Sequence, residues 1–334
     1  MKADFKVSSQ QEESERIILR DVLPLDTPLS LQIELASACN FKCSFCMHGN
    51  SDLIKSNVYK IGIMKFELFK KIVDDIKGFP RKIKFISLQC RGESLLNPKL
   101  PEMIKYLKAA NVAEQIVLNT NASLLTKDLS ISIIKAGLDC IRFSIEAVSS
   151  EGYKNISGVD IDFDNLVENI AFFYVNRDKC FVYTKIMDCG LTDDEKISFI
   201  KIFENISDRI YIENPINLWK DAGLNEEQFK INRWNQKIFK TEICPRIFFA
   251  YAVHFDGTVV GCDSDWKEES PLGNANSENI VSIWSGRSFN NMRSMHLEKD
   301  THLYTRCKDC FVYRECLEKD CLDGDESRLL QLYR

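Results

Sequence analysis

The chain has 334 residues, of which 45% are hydrophobic and 28% are charged, and its formal net charge is −5. These ordinary values exclude a long disordered tract, and the acidic balance disfavours a generic binder of nucleic acid or of anionic membranes. The N-terminus shows no apolar signal segment and no apolar run reaches the ~18 residues of a membrane span, so we predict a cytoplasmic protein.

Strand and helix patterns alternate along the first two thirds of the chain. Alternating apolar and polar residues, or short apolar runs, predict strands at 31–35, 83–88, 115–118, 140–145, 181–187 and 209–212. Apolar residues at helical spacing predict helices at 66–76, 99–110, 127–136 and 164–176. A capping box of Thr192 and Glu195 opens a further helix, whose core face we expect to carry Ile197, Ile200 and Phe203.

Six strands that alternate with helices are typical of a parallel α/β sheet with right-handed crossovers. This span is shorter than the ~250 residues of an eight-fold barrel, so we predict a partial (β/α)6 barrel at 31–235 after a lead-in segment at 1–30. After about residue 240 the elements are short and interrupted by Gly, Asp and Cys. We therefore expect a small cysteine-rich domain at 236–334, with little core of its own and stapled by metal centres.

The chain contains 13 cysteines, an odd number in a sequence without a signal segment, which argues against a disulfide framework. Four of them lie singly in apolar surroundings, and the others form two groups, one of three residues and one of six. The single cysteines are Cys90, Cys140, Cys180 and Cys189. We interpret Cys140 and Cys180 as packing residues, and we expect the grouped cysteines to be metal ligands.

The first group, Cys39, Cys43 and Cys46, has the spacing C-x3-C-x2-C in the loop after the first strand. That edge of an α/β sheet is where such folds place their active sites. Thiolates this close hold one compact centre. A structural zinc ion would need a fourth ligand, for which His48 is the candidate, whereas a 4Fe–4S cluster with three cysteines would leave one iron open for catalysis.

This spacing, with Phe45 before the third cysteine, resembles the radical S-adenosylmethionine (SAM) enzymes. The resemblance implies that the methionine amino and carboxylate groups of SAM bind the open iron. An electron from the cluster then cleaves SAM and yields a 5′-deoxyadenosyl radical, which removes a hydrogen atom from the substrate. The same chemistry implies an electron donor such as flavodoxin or ferredoxin.

Residues 91–94 (Arg-Gly-Glu-Ser) are similar to the Gly-Gly-Glu-Pro motif of that family, although Arg91 and Ser94 depart from it. The resemblance implies that the backbone at Gly92 and Glu93 holds the methionine ammonium group.

Further SAM contacts are implied at the ends of later strands. Asn121 follows the third strand, Ser144 and Glu146 end the fourth strand near the expected ribose, and Lys185 of the fifth strand is expected to meet the methionine carboxylate. For each of these residues, the alternative is a solvated polar side chain at a strand end.

The second group resembles the SPASM extension of radical enzymes, or its shorter twitch form, which carries auxiliary 4Fe–4S clusters. Its cysteines are Cys244, Cys262, Cys307, Cys310, Cys316 and Cys321. In the twitch arrangement the first four would hold one cluster, whereas in the longer arrangement Cys307, Cys310 and Cys316 would join a second one. The x4 spacing before Cys321 departs from the full pattern, so one or two auxiliary clusters remain open. A zinc ribbon at Cys307 and Cys310 is the alternative.

These features predict a radical SAM oxidoreductase that acts on a carbohydrate-like small molecule, a sugar or an aminocyclitol. Passing an electron to an auxiliary cluster would give a dehydrogenation, whereas a hydrogen atom from a thiol, with Cys90 and Cys189 as candidates, would give an epimerisation. Residues 153–158 and 213–219 are the predicted substrate contacts. The alternatives are a peptide- or protein-modifying maturase, against which the short lead-in segment argues mildly, and a zinc-stapled binding module without catalytic activity.

Overall fold

The structure is a computed structural model that describes residues 4–5, 17–55, 59–215, 232, 241–308, 310 and 316–334. Its strands are β1 (Asp4–Phe5), β2 (Ser30–Ile33), β3 (Ile83–Ser87), β4 (Ala113–Thr120), β5 (Cys140–Ile145), β6 (Phe181–Met187), β7 (Arg209–Glu213), β8 (Ala250–Val253), β9 (Thr258–Val260) and β10 (Pro271–Asn274). Its α-helices are α1 (Leu19–Val22), α2 (Ser51–Lys55), α3 (Phe66–Ile76), α4 (Leu100–Ala110), α5 (Lys127–Ala136), α6 (Ser150–Ser157), α7 (Phe163–Asn176), α8 (Asp193–Phe203), α9 (Arg246–Phe249), α10 (Ile280–Trp284), α11 (Arg287–Leu297), α12 (Thr305–Lys308) and α13 (Glu326–Tyr333).

The strands form one sheet in the order β1-β7-β6-β5-β4-β3-β2-β8-β9-β10. Strands β2 to β7 are parallel to their neighbours and alternate with helices along the chain. This confirms the predicted α/β partial barrel of six parallel strands. Because the strands are parallel, the loops after them gather at one edge of the sheet, which we call the carboxyl edge.

The two faces of this sheet differ in polarity. Ile141, Phe143 and Ile145 of β5 are fully buried, and the Phe143 ring meets Phe173 of α7 edge-on at 5.8 Å. These residues therefore face the helices. Because side chains alternate along a strand, Arg142 and Ser144 point to the opposite face, which is the barrel interior.

The region after residue 240 extends the same sheet. Strand β8 pairs in parallel with β2, and β9 and β10 continue from it in antiparallel pairing. Trp266, Trp284 and Phe289 are fully buried there. Trp284 and Phe289 belong to the same hydrophobic cluster as the barrel strands, so this region has little core of its own, as expected. Its stapling by metal centres stays a prediction.

Two local expectations are corrected. The capping box of Thr192 and Glu195 is present, but Ile197 is 48% exposed, and Phe199 and Phe203 form the buried face of α8. Helix α6 was not predicted, because its eight residues carry too short and too polar a pattern. The predicted boundary at 235/236 and most of the lead-in segment lie outside the described residues.

Candidate functional site

The loop that carries the first cysteine group lies at the carboxyl edge and is held by helix α6. The Lys42 amide donates to the Ser157 carbonyl at 2.8 Å, and the Ser44 amide donates to the Ile156 carbonyl at 2.9 Å. Within the loop, the Cys46 amide donates to the Cys43 carbonyl at 2.9 Å. The C-terminal end of α6 therefore fixes the backbone between the first and third cysteines.

The three thiols of this loop share a desolvated environment. Burial raises the pKa of Cys39 to about 12 and of Cys46 to about 11, and it raises the pKa of Cys43 further. The charges of Glu146 and of the neighbouring thiols add to this effect on the pKa of Cys39 and Cys43. Thiols that are buried close together stay protonated unless a cation compensates their charge, so this donor set fits an iron–sulfur cluster.

The zinc alternative needs His48 to turn toward these thiols. Instead, His48 Nε2 lies 3.0 Å from the Arg91 carbonyl oxygen and 3.4 Å from the Tyr59 hydroxyl. Across the described ranges, no three His, Cys, Asp or Glu side chains converge as a single metal ion requires. A cluster does not need such convergence, because each of its cysteines binds a different iron atom.

Gly92 and Glu93 pack directly on the backbone that leads into the cysteine loop. The Glu93 amide donates to the Ala38 carbonyl at 2.8 Å. A Cβ atom at Gly92 would lie 2.3 Å from the Ala38 oxygen and 2.5 Å from the Ala36 oxygen. Only glycine allows this close approach.

The Glu93 carboxylate is occupied by the neighbouring strand end. It accepts hydrogen bonds from the Leu95 amide at 2.9 Å, the Asn121 amide at 2.9 Å and the Thr120 hydroxyl at 2.8 Å. Asn121 in turn donates to Asn40 in the cysteine loop at 3.0 Å. The side chain of Glu93 therefore joins the ends of β3 and β4 to the loop.

Ser144 lies on β5 and Lys185 on the adjacent strand β6, both on the interior face of the sheet. Glu146 follows directly after β5. Ser144 and Lys185 are register partners, and Lys185 Nζ forms an ion pair with Glu213 at 2.8 Å. Burial raises the pKa of Glu146 to about 7, and the charge of Lys185 opposes this rise. Among the described residues, the Glu146 carboxylate has no hydrogen-bond partner.

The four single cysteines have different surroundings. Cys140 and Cys180 are both buried, as expected of packing residues, and Cys180 belongs to the main hydrophobic cluster. Cys90 is buried with Ala252 and Val260, between β3 and the β8–β9 hairpin. Cys189 lies in the loop after β6, where burial raises its pKa to about 11 and the Glu146 charge adds to the effect.

Two of the predicted substrate contacts are buried, and others lie in a segment that the structure does not describe. Tyr153 and Ser157 are fully buried beneath the cysteine loop, so those two positions are wrong as substrate contacts. Tyr153 packs its ring against Phe41 at 5.9 Å and therefore supports the loop. Residues 216–219 lie outside the described residues.

The sequence analysis missed a buried ion pair that joins the two cysteine-bearing regions. Arg91 Nη2 and Nε donate to the two Glu34 carboxylate oxygens at 2.6 and 2.7 Å, and these side chains are 1% and 0% exposed. Arg91 Nη1 also donates to the Trp266 carbonyl at 2.8 Å. Trp266 packs beside Met47, next to the third cysteine. The sequence signal was Glu34 itself, an acidic residue at the end of a buried strand.

Five cysteines of the second group come together around Cys262. The charges of Cys316, Cys262 and Cys310 raise the pKa of Cys244 beyond the effect of burial. Those of Cys262 and Cys310 do the same for the pKa of Cys307. The Ser264 hydroxyl lies 3.2 Å from the Cys262 sulfur and 4.0 Å from the Cys310 sulfur. These five cysteines, which are Cys244, Cys262, Cys307, Cys310 and Cys316, are called the auxiliary thiols below.

The Cys321 sulfur lies 4.0 Å from the Thr241 hydroxyl. Thr241 donates to Asp323 at 2.9 Å, so this contact belongs to a turn near the C-terminal helix. The assignment of Cys321 as a metal ligand stays a prediction.

A charged pair lies against the auxiliary thiols. Arg246 Nη2 forms an ion pair with Asp263 at 2.9 Å, and Asp263 also accepts from Gln32 of β2 at 3.0 Å. The charges of Asp263, Cys262 and Cys244 raise the pKa of the buried Arg246 against the opposing effect of burial. This pair connects the auxiliary thiols to the barrel interior.

Comparison with known families agrees with this organisation. The family described as "Radical SAM superfamily" matches residues 33–200, and the SPASM family, described as "Iron-sulfur cluster-binding domain", matches residues 244–311. No helix of the described ranges is long and apolar enough to cross a membrane.

Individual relatives match part of the chain. A GTP 3′,8-cyclase of Chlorobaculum tepidum is 24% identical over 173 residues, which are 52% of this chain and 49% of the relative. A probable GTP 3′,8-cyclase of Saccharolobus solfataricus is 36% identical over 142 residues, 42% of each protein. The chain thus spans about half the length of these curated relatives or less.

Solved structures with low sequence identity share the fold. BtrN in complex with AdoMet and 2-DOIA aligns with a TM-score of 0.57 at 17% identity, over 87% of this chain and 96% of BtrN. Streptococcus suis SuiB bound to its precursor peptide SuiA aligns with a TM-score of 0.65 at 15% identity, over 83% of this chain and 69% of SuiB. With half of its length matched by the first family and its C-terminal region by the second, the chain belongs to the radical SAM superfamily and carries a C-terminal SPASM iron–sulfur cluster-binding domain.

Proposed function

We propose that this radical SAM enzyme is an oxidoreductase that removes a hydrogen atom from a carbohydrate-like substrate and then oxidises the resulting radical through an auxiliary cluster. The observation that carries this proposal is the closeness of three desolvated thiols and the Gly92–Glu93 backbone at the carboxyl edge, above a polar barrel interior. A polar interior suits a hydroxylated small molecule, because each of its hydroxyl groups needs a hydrogen-bond partner after it leaves water.

The proposed ligands of the catalytic cluster are Cys39, Cys43 and Cys46. When bound, the cluster and SAM supply the 5′-deoxyadenosyl radical. Gly92 has no side chain that would clash with the loop, and the Glu93 carboxylate accepts hydrogen bonds from Thr120 and from two amides. Contact with the methionine group of SAM is therefore left to the backbone of this segment.

Glu146 and Ser144 are proposed to bind the ribose hydroxyls of SAM. Asn121 is proposed to hold the cysteine loop in position beside SAM. The Glu146 carboxylate is a ready acceptor, and burial raises its pKa. Lys185 already pairs with Glu213, so contact with the methionine carboxylate requires Lys185 to exchange that partner.

We propose that four of the five auxiliary thiols hold one auxiliary cluster. Arg246 supports a role in oxidation, because a buried cation beside a cluster favours the state that has gained an electron. Epimerisation is the second candidate. It is favoured by Cys189, a half-buried thiol in the loop after β6. This thiol is close enough to Glu146 for the Glu146 charge to raise its pKa. Cys90, packed between Ala252 and Val260, is less accessible as a hydrogen donor.

The decisive experiment measures 5′-deoxyadenosine after anaerobic reconstitution with iron and sulfide and addition of SAM and dithionite. The wild type is expected to form it and Cys43→Ala is not, whereas Cys180→Ala, which removes a packing thiol, keeps the activity. Product that contains solvent deuterium would favour epimerisation over oxidation. Zinc without iron in the purified protein, or no 5′-deoxyadenosine in the wild type, would contradict the proposal.

Iron analysis tests the auxiliary cluster. One catalytic and one auxiliary cluster give about 8 iron atoms per chain. Replacing Cys262 by alanine is expected to remove about half of this iron, whereas Cys321→Ala retains it. About 12 iron atoms in the wild type, with loss of iron in Cys321→Ala, would instead establish a second auxiliary cluster with Cys321 as a ligand.

A further inference from the structure

Four neighbouring strands place polar side chains in one row across the barrel interior. Asn119 of β4 is level with Arg142 of β5, Arg142 with Tyr183 of β6, and Tyr183 with Arg209 of β7. Register partners on adjacent parallel strands project from the same face of the sheet. This interior row therefore contains two arginines, and none of its four residues is acidic.

The two arginines of the interior row lack acidic partners. Within the described part of the chain, neither Arg142 nor Arg209 forms an ion pair with a carboxylate. Arg142 contacts the Cys140 thiol, and the Arg209 guanidinium lies 5.6 Å from the centre of the Phe181 ring. The Nε atom of Arg209 and the Oδ1 atom of Asn119 are buried without a hydrogen bond. A partly buried guanidinium with an unsatisfied donor is costly unless an anion or water completes it.

Other basic residues on the interior side show the contrast. Lys185, two residues after Tyr183 on β6, pairs with Glu213 at 2.8 Å, and Arg91 pairs with Glu34. Among the residues that the structure describes, the cations near the carboxyl edge pair with carboxylates, whereas those of the interior row do not. The interior row lies at the end of the interior away from the cysteine loop.

From this contrast we infer that Arg142 and Arg209 bind a phosphate group of the substrate, so that the hydrogen-donating substrate is a phosphorylated sugar. This inference rests on the proposed function, because it names the substrate of the same interior. Two guanidinium groups match the double charge of a phosphate monoester, and each offers a planar pair of donors.

The spacing along β5 suits such a substrate. Arg142 precedes Glu146 by four residues, which correspond to about 13 Å along an extended strand. Because the Arg142 side chain reaches back to Cys140, a phosphate held there would lie at the end of the interior away from the carboxyl edge, and the sugar ring would extend from it toward that edge. The amide of Asn119, in the same row, is available to a hydroxyl group of that ring.

Calorimetric titration of the iron-loaded, SAM-bound protein under anaerobic conditions tests the site with three probes: α-D-glucose 1-phosphate, D-gluconate and D-glucose. We expect the phosphate ester to bind at least tenfold more tightly than the carboxylate or the neutral sugar, with an affinity that falls as salt is added. Arg142→Gln and Arg209→Gln should each weaken its binding at least tenfold, and Arg142→Lys should restore part of the loss.

The matched control is Arg177→Gln, which makes the same charge change at a residue that pairs with Asp208 beside helix α7. It should leave binding of the phosphate ester unchanged. The inference is overturned if the wild type does not bind glucose 1-phosphate, if gluconate binds more tightly, or if the two glutamine variants bind like the control.

The wild type's formation of 5′-deoxyadenosine, measured without any of these probes, separates this inference from the proposed function. Formation of 5′-deoxyadenosine without phosphate binding would overturn only the interior phosphate site. Phosphate binding that depends on Arg142 and Arg209, in a protein that does not cleave SAM, would instead overturn only the proposed radical reaction.

Discussion

The two cysteine-bearing regions are held in place by different kinds of contact. The loop from Cys39 to Cys46 is fixed by backbone hydrogen bonds to α6 and to the Gly92–Glu93 segment. Four of the auxiliary thiols lie on loops between short elements and Cys307 lies in the short helix α12, and the Arg246–Asp263 ion pair lies against them. The first arrangement is a property of the fold, whereas the second depends on what the side chains and a cluster hold together.

This difference indicates which of the two regions depends on bound metal for its ordered conformation. The backbone hydrogen bonds to α6 and to the Gly92–Glu93 segment do not depend on the thiols, so we expect the loop from Cys39 to Cys46 to keep its conformation without a bound cluster. Thiols on loops with little regular structure gain order from the cluster that joins them. A displaced backbone should therefore impair the region of the first cysteine group most, whereas loss of metal should destabilise the region of the auxiliary thiols most.

The largest effect is expected from Gly92→Ala. The new Cβ atom would lie 2.3 Å from the Ala38 oxygen and 2.5 Å from the Ala36 oxygen, and both are backbone atoms that cannot rotate away. The cysteine loop must move, and we expect the rate of 5′-deoxyadenosine formation to fall at least ~100-fold, because small displacements of reacting groups have such effects.

The control is Gly78→Ala in the loop after α3, where the nearest atom would be 3.2 Å away. Its rate should stay within about twofold of the wild type, since only a few tenths of an ångström of adjustment are needed. Equal rates for the two variants would show that the close approach at Gly92 does not position the cysteine loop.

Arg91→Gln tests the bridge between the two regions. Removing the guanidinium leaves the Glu34 carboxylate buried without its charged partner, which typically costs about 3–5 kcal/mol. The midpoint of urea unfolding of the iron-loaded protein should fall accordingly. Arg81→Gln breaks an exposed pair with Asp26, in which the side chains are 63% and 53% exposed, and should cost less than ~1 kcal/mol.

A double variant sharpens this test. Arg91→Met combined with Glu34→Leu replaces both charges by apolar groups, and it should recover most of the stability that Arg91→Gln loses. If the double variant remains as unstable as the single one, the ion pair itself is not the main contribution of this bridge.

Removal of iron by an anaerobic chelator tests the comparison directly. Amide hydrogen exchange in the loop after β9 and in α12, which carry auxiliary thiols, should accelerate at least ~100-fold, which corresponds to about 2.7 kcal/mol of lost ligand stabilisation. Exchange in β4 to β6 should change by less than ~10-fold, and reloading with iron and sulfide should restore both. Equal acceleration of exchange in the two regions would show that the auxiliary region does not depend on metal more than the barrel does.

Much of the barrel could be predicted from the sequence because its patterns are local. The strand at 140–145 and the helix at 66–76 coincide with β5 and α3. The first cysteine group could be recognised for the same reason, since three thiols within eight residues form a local pattern. Ile197 was misplaced because α8 offers two overlapping apolar stripes, and only packing decides between them.

What could not be predicted depends on contacts between distant residues. Arg91 and Glu34 are 57 positions apart, and no local pattern announces that they meet. The contact between Cys321 and Thr241 also joins residues that are 80 positions apart. The interior row likewise appears only when the register of four strands is known.

The smallest predicted effect concerns pH and the auxiliary region. Burial lowers the pKa of His296 to about 4, and neither ring nitrogen has a hydrogen-bond partner among the described residues. The unfolded chain binds a proton at His296 below about pH 6.5, whereas the folded protein resists this until about pH 4. Stability is therefore present above pH 6.5 and is lost as the pH falls, by about 2 kcal/mol between pH 7 and pH 5. His296→Leu should remove this dependence, and His302→Gln, at an exposed histidine, should retain it. Urea midpoints at the two pH values measure the difference, and an unchanged pH dependence in His296→Leu would assign the acid sensitivity to another group.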